Sequence, residues 1–258
     1  MIRLRRLAIT VMVVAMAVSA ASAARQYKIE QDTGDGFDYA GNATAFTTNG
    51  TLSEFYGYKM DGPDNYGFTG PVPLTARQSH LFLVQASDGL GLFVVHNMQG
   101  AGGSGEAEML LEFSDNDTWV AQEDDWDAHN WDEYDPDSGD GIIAEGGTIK
   151  AQWRWSNKTD GVAVGVDNPE HGDQILVQFA DLSGVNADWD NGYQAHSGLD
   201  GWVVQNGDSS GSSIALMSLD GPVRLTLVPL PAAAWPAIGM LGVFAVGKYR
   251  SRRKATGN

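Results

Sequence analysis

The chain predicts an all-β fold: an antiparallel β-sandwich, with a jelly roll as one form of it, flanked by an N-terminal signal peptide and a C-terminal apolar helix. Three observations carry this expectation. Apolar residues of the body recur with a period of two, the spacing of a strand with one face buried. The chain holds 32 glycines, many of them in turn-forming clusters between short apolar runs. Few stretches between the two ends read as an amphipathic helix.

At the N-terminus Arg3, Arg5 and Arg6 precede an apolar run over residues 7–18, and Ala21-Ser22-Ala23 stand before Ala24. This order is that of a signal peptide for general secretion, residues 1–23. The body follows as residues 24–227, a length ordinary for a single sandwich. Its clearest strand sets Ile149, Ala151, Trp153 and Trp155 against Lys150, Gln152, Arg154 and Ser156. Residues 157–161 read as a turn, and Val162, Val164 and Val166 as the return strand of a hairpin. Further strands are expected over residues 80–86, 90–96, 107–113, 174–179, 201–205, 213–219 and 223–228. Trp153 and Trp155 share a strand face and are expected in the core.

Charge excludes whole classes of partner. Of 16 Lys and Arg, three lie in residues 1–23 and five in residues 228–258, leaving eight in the body against all 33 acids, a formal charge of −25. A body this acidic repels nucleic acid and anionic membrane surfaces. It suits divalent cations or neutral glycans. With no cysteine in the chain, an exported protein is held together here without disulfides.

Residues 115–145 hold twelve acids and no Lys or Arg, with Trp119, Trp126, Trp131 and Tyr134 among them. Carboxylates this dense repel one another, and a calcium ion, which takes six to eight oxygens, would relieve the repulsion. Asp135, Asp137, Asp140 and Glu145 are the candidate ligands, although their spacing departs from the EF-hand pattern. Asp188-Trp189-Asp190-Asn191-Gly192 is a second candidate. A solvated acidic loop without an ion is the competing reading. Aromatic rings beside carboxylates and amides also make a sugar-binding surface, the ring facing the C–H side and the oxygens the hydroxyls. Trp126, Trp131, Trp189 and Tyr193 are the candidates for it, with Trp202 beside them.

Catalysis has little footing, and no enzymatic role is expected. His80, His96, His129, His171 and His196 are scattered, with no His-Glu-x-x-His pair and no Gly-x-Ser-x-Gly elbow. His96 and His129 are expected in satisfied polar or packing positions. Among 33 acids a carboxylate pair is bound to occur, which deprives such a pair of meaning.

The last segment, residues 228–258, begins Val228-Pro229-Leu230-Pro231-Ala232 and carries no charge from Ala232 to Gly247. Those sixteen residues span about 24 Å as a helix, short of a bilayer core of about 30 Å. Lys248, Arg250, Arg252, Arg253 and Lys254 then form a basic stop of the kind held on the cytoplasmic side. Proline motif, apolar segment and basic end together resemble the PEP-CTERM family of sorting signals, in its VPLPA-type variant. The resemblance covers the tail alone. It implies a precursor held briefly in the inner membrane and cut near the motif by an exosortase-type transpeptidase. The body would then pass to the cell surface or the extracellular polysaccharide matrix. The sequence thus leads to an exported surface, matrix or biofilm protein with a structural or adhesive role, a calcium-dependent carbohydrate-binding module as the alternative, and a polysaccharide-acting enzyme third. The implied partners are the secretion machinery, the transpeptidase and extracellular polysaccharide.

Overall fold

Runs with one apolar side have that side to hide, and here they hide it against each other in two facing sheets. The structure is a computed structural model and describes residues 24–60, 66–114, 118–123, 141–156, 158–182, 195–208 and 211–229. In chain order the elements are β1 (Gln26–Asp32), β2 (Phe37–Thr44), β3 (Phe46–Thr47), the helix α1 (Leu52–Tyr56), β4 (Lys59–Met60), β5 (Tyr66–Gly67) and β6 (Gln78–Gln85). Then come β7 (Leu90–His96), β8 (Ser104–Phe113), β9 (Thr118–Glu123), β10 (Gly141–Glu145), β11 (Thr148–Ser156) and β12 (Asp160–Val166). The last are β13 (Gln174–Phe179), β14 (His196–Ser197), β15 (Gly201–Gln205), β16 (Ser213–Ala215) and β17 (Val223–Val228).

The first sheet runs β10-β11-β8-β13-β17-β1-β2, with β14 on β8, and the second runs β16-β15-β6-β7-β12-β9, with β3 on β6. Between them Tyr27, Ile29, Met109, Leu111, Trp153, Trp155 and Leu225 of the first sheet share one core with Leu81, Leu83, Leu92, Val94, Val164 and Trp202 of the second. Trp153 and Trp155 are in that core, as their strand face predicts.

The second sheet is covered on its outer side too. Phe82, Val84, Phe93, Val95 and Ala163 pack there against Leu52, Phe55 and Tyr56 of α1 and against Phe68 and Val72. This explains why β7 and β12 read as unbroken apolar runs: every residue of both is buried. Only five residues long, α1 depends on its caps. Thr51 and Glu54 form a reciprocal capping box, and Gly57 ends the helix in the left-handed conformation. Among the described residues no helix is long and apolar enough to cross a membrane.

Several expectations change. Residues 157–161 do not close a hairpin: β11 lies in the first sheet, whereas β12 pairs with β7 and β9 in the second. With apolar residues on both faces, β12 needs a covered position inside the second sheet, so the turn becomes a crossing between layers. The pairing is not wholly antiparallel, since β15 and β3 both run parallel to β6. The strand expected over residues 213–219 ends at Ala215: Leu216 still bonds across to β15, the neighbour of β16, and the chain turns away at Met217. Leu216 N donates to Trp202 O at 3.1 Å and Met217 N to Gln31 Oε1 at 2.6 Å. Strands β1, β2, β9 and β10 were not expected, nor were the two-residue strands β3, β4, β5 and β14. Of these β1 carries a visible period of two in Tyr27 and Ile29, whereas β2 is an edge strand with little apolar content. The acidic stretch 115–145 is thus bounded by two strands rather than being a loop throughout.

On β8, Gly105 lies under the Trp155 indole, and a Cβ there would meet the ring and the Ser197 carbonyl. Gly105→Ala is therefore expected to destabilise the fold by about 1–3 kcal/mol, read as a lower urea midpoint. An unchanged midpoint would mean that the indole can shift at no cost.

Candidate functional site at the loop end of the sandwich

His96 at the close of β7 stacks on Trp155 near the close of β11, so those strand ends of the two sheets lie together at one end of the sandwich. At the opposite end β1 begins and β17 finishes as register partners, Gln26 opposite Val228. The chain therefore enters and leaves the body side by side. At the first end lie the close of β7, β9 and β11 and the start of β6, β8, β12 and β15, by the pairings Ser79↔His96, His96↔Asp160, Glu123↔Val162, Ser104↔Ser156 and Gln78↔Gly201. Toward it point the start of β10 and the close of β13, which stop four or five residues short at Gly141↔Gln152 and Phe179↔Met109. This loop end joins β9 to β10 and β13 to β14. Those connections carry Trp126, Trp131, Asp135, Asp137 and Asp140 in one and Trp189 and Tyr193 in the other. All seven lie outside the described residues, as do Leu230, Pro231, Ala232, Lys248, Arg250, Arg252, Arg253, Lys254 and His129.

Two candidates fall on described residues and do not join a site at this end. Glu145 pairs with Thr148 at the far end of β10, about 13 Å along the strand from Gly141 at 3.3 Å per residue. Trp202 is only 1% exposed and its Nε1 donates to Ser218 O at 2.6 Å, so its ring faces the core rather than a sugar. Among the described residues no group of three or more His, Asp or Glu is placed to hold a metal ion.

Sequence reasoning missed the residue that holds the second connection in place. Glu108 N donates to Ala195 O and Glu108 O accepts from Ala180 N, both at 3.0 Å. Its carboxylate accepts from Leu182 N at 3.0 Å and from Gln152 Nε2 at 2.7 Å. One residue of β8 thus ties both roots of residues 183–194. Burial pushes its carboxyl pKa up, the two donors oppose that, and Asp181 and Glu106 add to it. No local signal marks this role: Glu106-Ala107-Glu108 alternates like any strand with a wet outer face.

The interior of the loop end is aromatic. His96 stacks on Trp155 with centroids 5.2 Å apart and planes at 10°, and lies 4.8 Å from Trp153. Phe179 follows, 5.0 Å from Trp202 and 5.3 Å from His196. His96 is a packing residue, but it is not a satisfied one. Both its ring nitrogens, Ser79 Oγ and Trp153 Nε1 are buried without a hydrogen-bond partner. Burial, with a smaller effect from His80, lowers its pKa to about 3. His80 is better served: Gln205 Nε2 lies 3.0 Å from its Nδ1, and Thr75 lies against its Nε2 with N at 3.0 Å and O at 3.1 Å. Burial still lowers its pKa to about 4, against a raising effect from Thr75.

On the surface of this end Arg77 meets Asp200 with two bonds of 2.8 Å, and His196 Nε2 meets Asp220 at 2.9 Å. Beside them Asp32, Thr33, Ser218, Asp220, Gly221 and Pro222 line an open groove of about 370 Å³. Its acids are already engaged, Asp32 by Gly34 N and Gly36 N and Asp220 by His196. The groove therefore offers polar walls but no free acid–base pair.

Both buried histidines are neutral in the fold and titrate near pH 6.5 once unfolded. Below that pH the unfolded chain takes up protons that the folded chain refuses. Stability therefore falls as pH drops from 6.5 toward 4, by about 1.4 kcal/mol per unit for each histidine. His96→Phe should flatten this slope in thermal melts, and an unchanged slope would remove His96 as its source. Glu108→Ala should expose residues 183–194 to limited proteolysis ahead of global unfolding, and cleavage no faster than in the parent would deny Glu108 that anchoring role.

No family model matches the chain, and neither a curated protein nor a solved structure is found to resemble it.

Proposed function

We propose that this is an exported cell-surface or extracellular-matrix protein, delivered by an exosortase-type system and serving there in a structural or adhesive role rather than as an enzyme. The observation that carries the reading is the arrangement of the body between its sequence signals. The compact unit runs from Ala24 to Val228, starting where the signal peptide is expected to be cut and finishing on the first residue of the proline motif. Val228 is the last residue of β17 and Pro229 is exposed. A transpeptidase can therefore act beyond Val228 on a body already folded. A link made to the new C-terminus after the cut would hold the body by the end of β17, leaving the loop end at the opposite end of the sandwich.

A calcium-dependent carbohydrate-binding module is the second reading. It is favoured by the connectivity that directs the described roots of 124–140 and 183–194 toward one end of the sandwich, since the sequence of both segments carries carboxylates and aromatic rings. The cation, where present, would be held by Asp135, Asp137 and Asp140.

In a host with the sorting system, the protein released to the surface is expected to lack residues 248–258 by mass spectrometry. An intact tail on released protein would overturn the sorting reading. For the second reading, calcium at about 100 times its dissociation constant should add about 2.7 kcal/mol to stability relative to a chelator. Retention on matrix polysaccharide should be lost in Trp126→Ala and Trp189→Ala. Melts that coincide with and without calcium, together with retention indifferent to both substitutions, would leave the structural role alone.

A further inference from the structure

We propose that the body is a mechanical coupling element in which β17 resists pull in shear. The inference rests on the reading that the protein is attached through its C-terminal side, and it concerns how load then passes through the fold. Strand β17 is an inner strand of the first sheet. It pairs with β1 from Gln26↔Val228 to Gln31↔Val223 and with β13 from Gln174↔Thr226 to Val177↔Val223. Tension applied beyond Val228 and opposed at the loop end runs along the axis of β17. Ladder hydrogen bonds lie perpendicular to that axis, so those on both flanks are loaded together.

Side chains add to the resistance. Val223, Leu225 and Leu227 are buried in the sandwich core, and Arg224 on the other face bonds Glu30 at 3.0–3.1 Å. A slip of β17 by one residue would turn the apolar set outward and break the ion pair. Load applied between the two chain ends acts differently. Gln26 and Val228 are adjacent, so the β1–β17 ladder opens from its end, one pair at a time. The same fold is then strong along the direction of attachment and weak between its own termini.

Single-molecule pulling tests this, and the absence of cysteine from the chain makes placed thiols unique handles. In the full chain, Ser104→Cys with Pro229→Cys applies load from the loop end to the end of β17, whereas Ala24→Cys with Pro229→Cys loads the two termini. Rupture force in the first geometry is expected to be roughly double that in the second or more, because forced unfolding reports the barrier along the pulled direction. Asp200→Cys with Pro229→Cys, using a handle from the second sheet, should match the first pair. Equal or lower force in both loop-end geometries would overturn the proposal. Thermal melts of the unloaded variants report whether each handle leaves the fold intact. Tail processing is read separately by mass, so failure of the sorting reading is distinguishable from failure of the clamp.

Discussion

A chain without cysteines has to close its sandwich by side-chain packing, and one such contact across the layers is that of Trp153 and Trp155 of β11 with His96 of β7. That contact joins the two sheets at the loop end. Gly105 makes room for one indole, and Phe179 and Trp202 continue the aromatic packing across the layers. Because strand ends coincide there, the connections leaving them share one end, and the body acquires a polarity that neither sheet has by itself. The cost is several buried polar atoms without partners, each lost from water without compensation. The interior therefore tolerates pH change less well than an aliphatic seam would.

Strand existence was legible for most of the apolar runs, whether one face is apolar, as in β11, or both, as in β7, but the period of two in β1 was passed over. The alternation through Trp155 placed β11 and its core face, and 90–96, 174–179, 201–205 and 223–228 were readable to the residue. Partnership was not legible, because period two says which face is buried and nothing about the neighbour. The expected hairpin at 157–161 fails for that reason. Strand β2 was invisible because an edge strand needs few apolar residues, and β9 and β10 because acid-rich sequence around them reads as loop. Of the candidate site, Trp202 was misassigned since a tryptophan beside turn residues gives no sign of which way its ring faces. Glu108 was missed since its partners lie some 70 residues away in the chain.

The distribution of charge follows from the same geometry. Acids cannot enter a core of this kind unless they are bonded there, and Glu108 is an example, with two donors on its carboxylate. Glu30, also buried, is bonded by Lys28 and Arg224, and repulsion among exposed acids is screened by salt. An excess of acid in the body is thereby compatible with an apolar interior, and it keeps the surface soluble without disulfides.

The closeness of Gln26 to Val228 has a consequence for how such a body can be joined to other chains. Residues paired across an antiparallel ladder have Cα atoms about 4.5–5.5 Å apart, the gap left by opening a tight turn of another protein. The whole sandwich can therefore be spliced into a surface loop of a host, or have its termini joined and be reopened elsewhere, with little distortion of either partner. It is a cassette by construction.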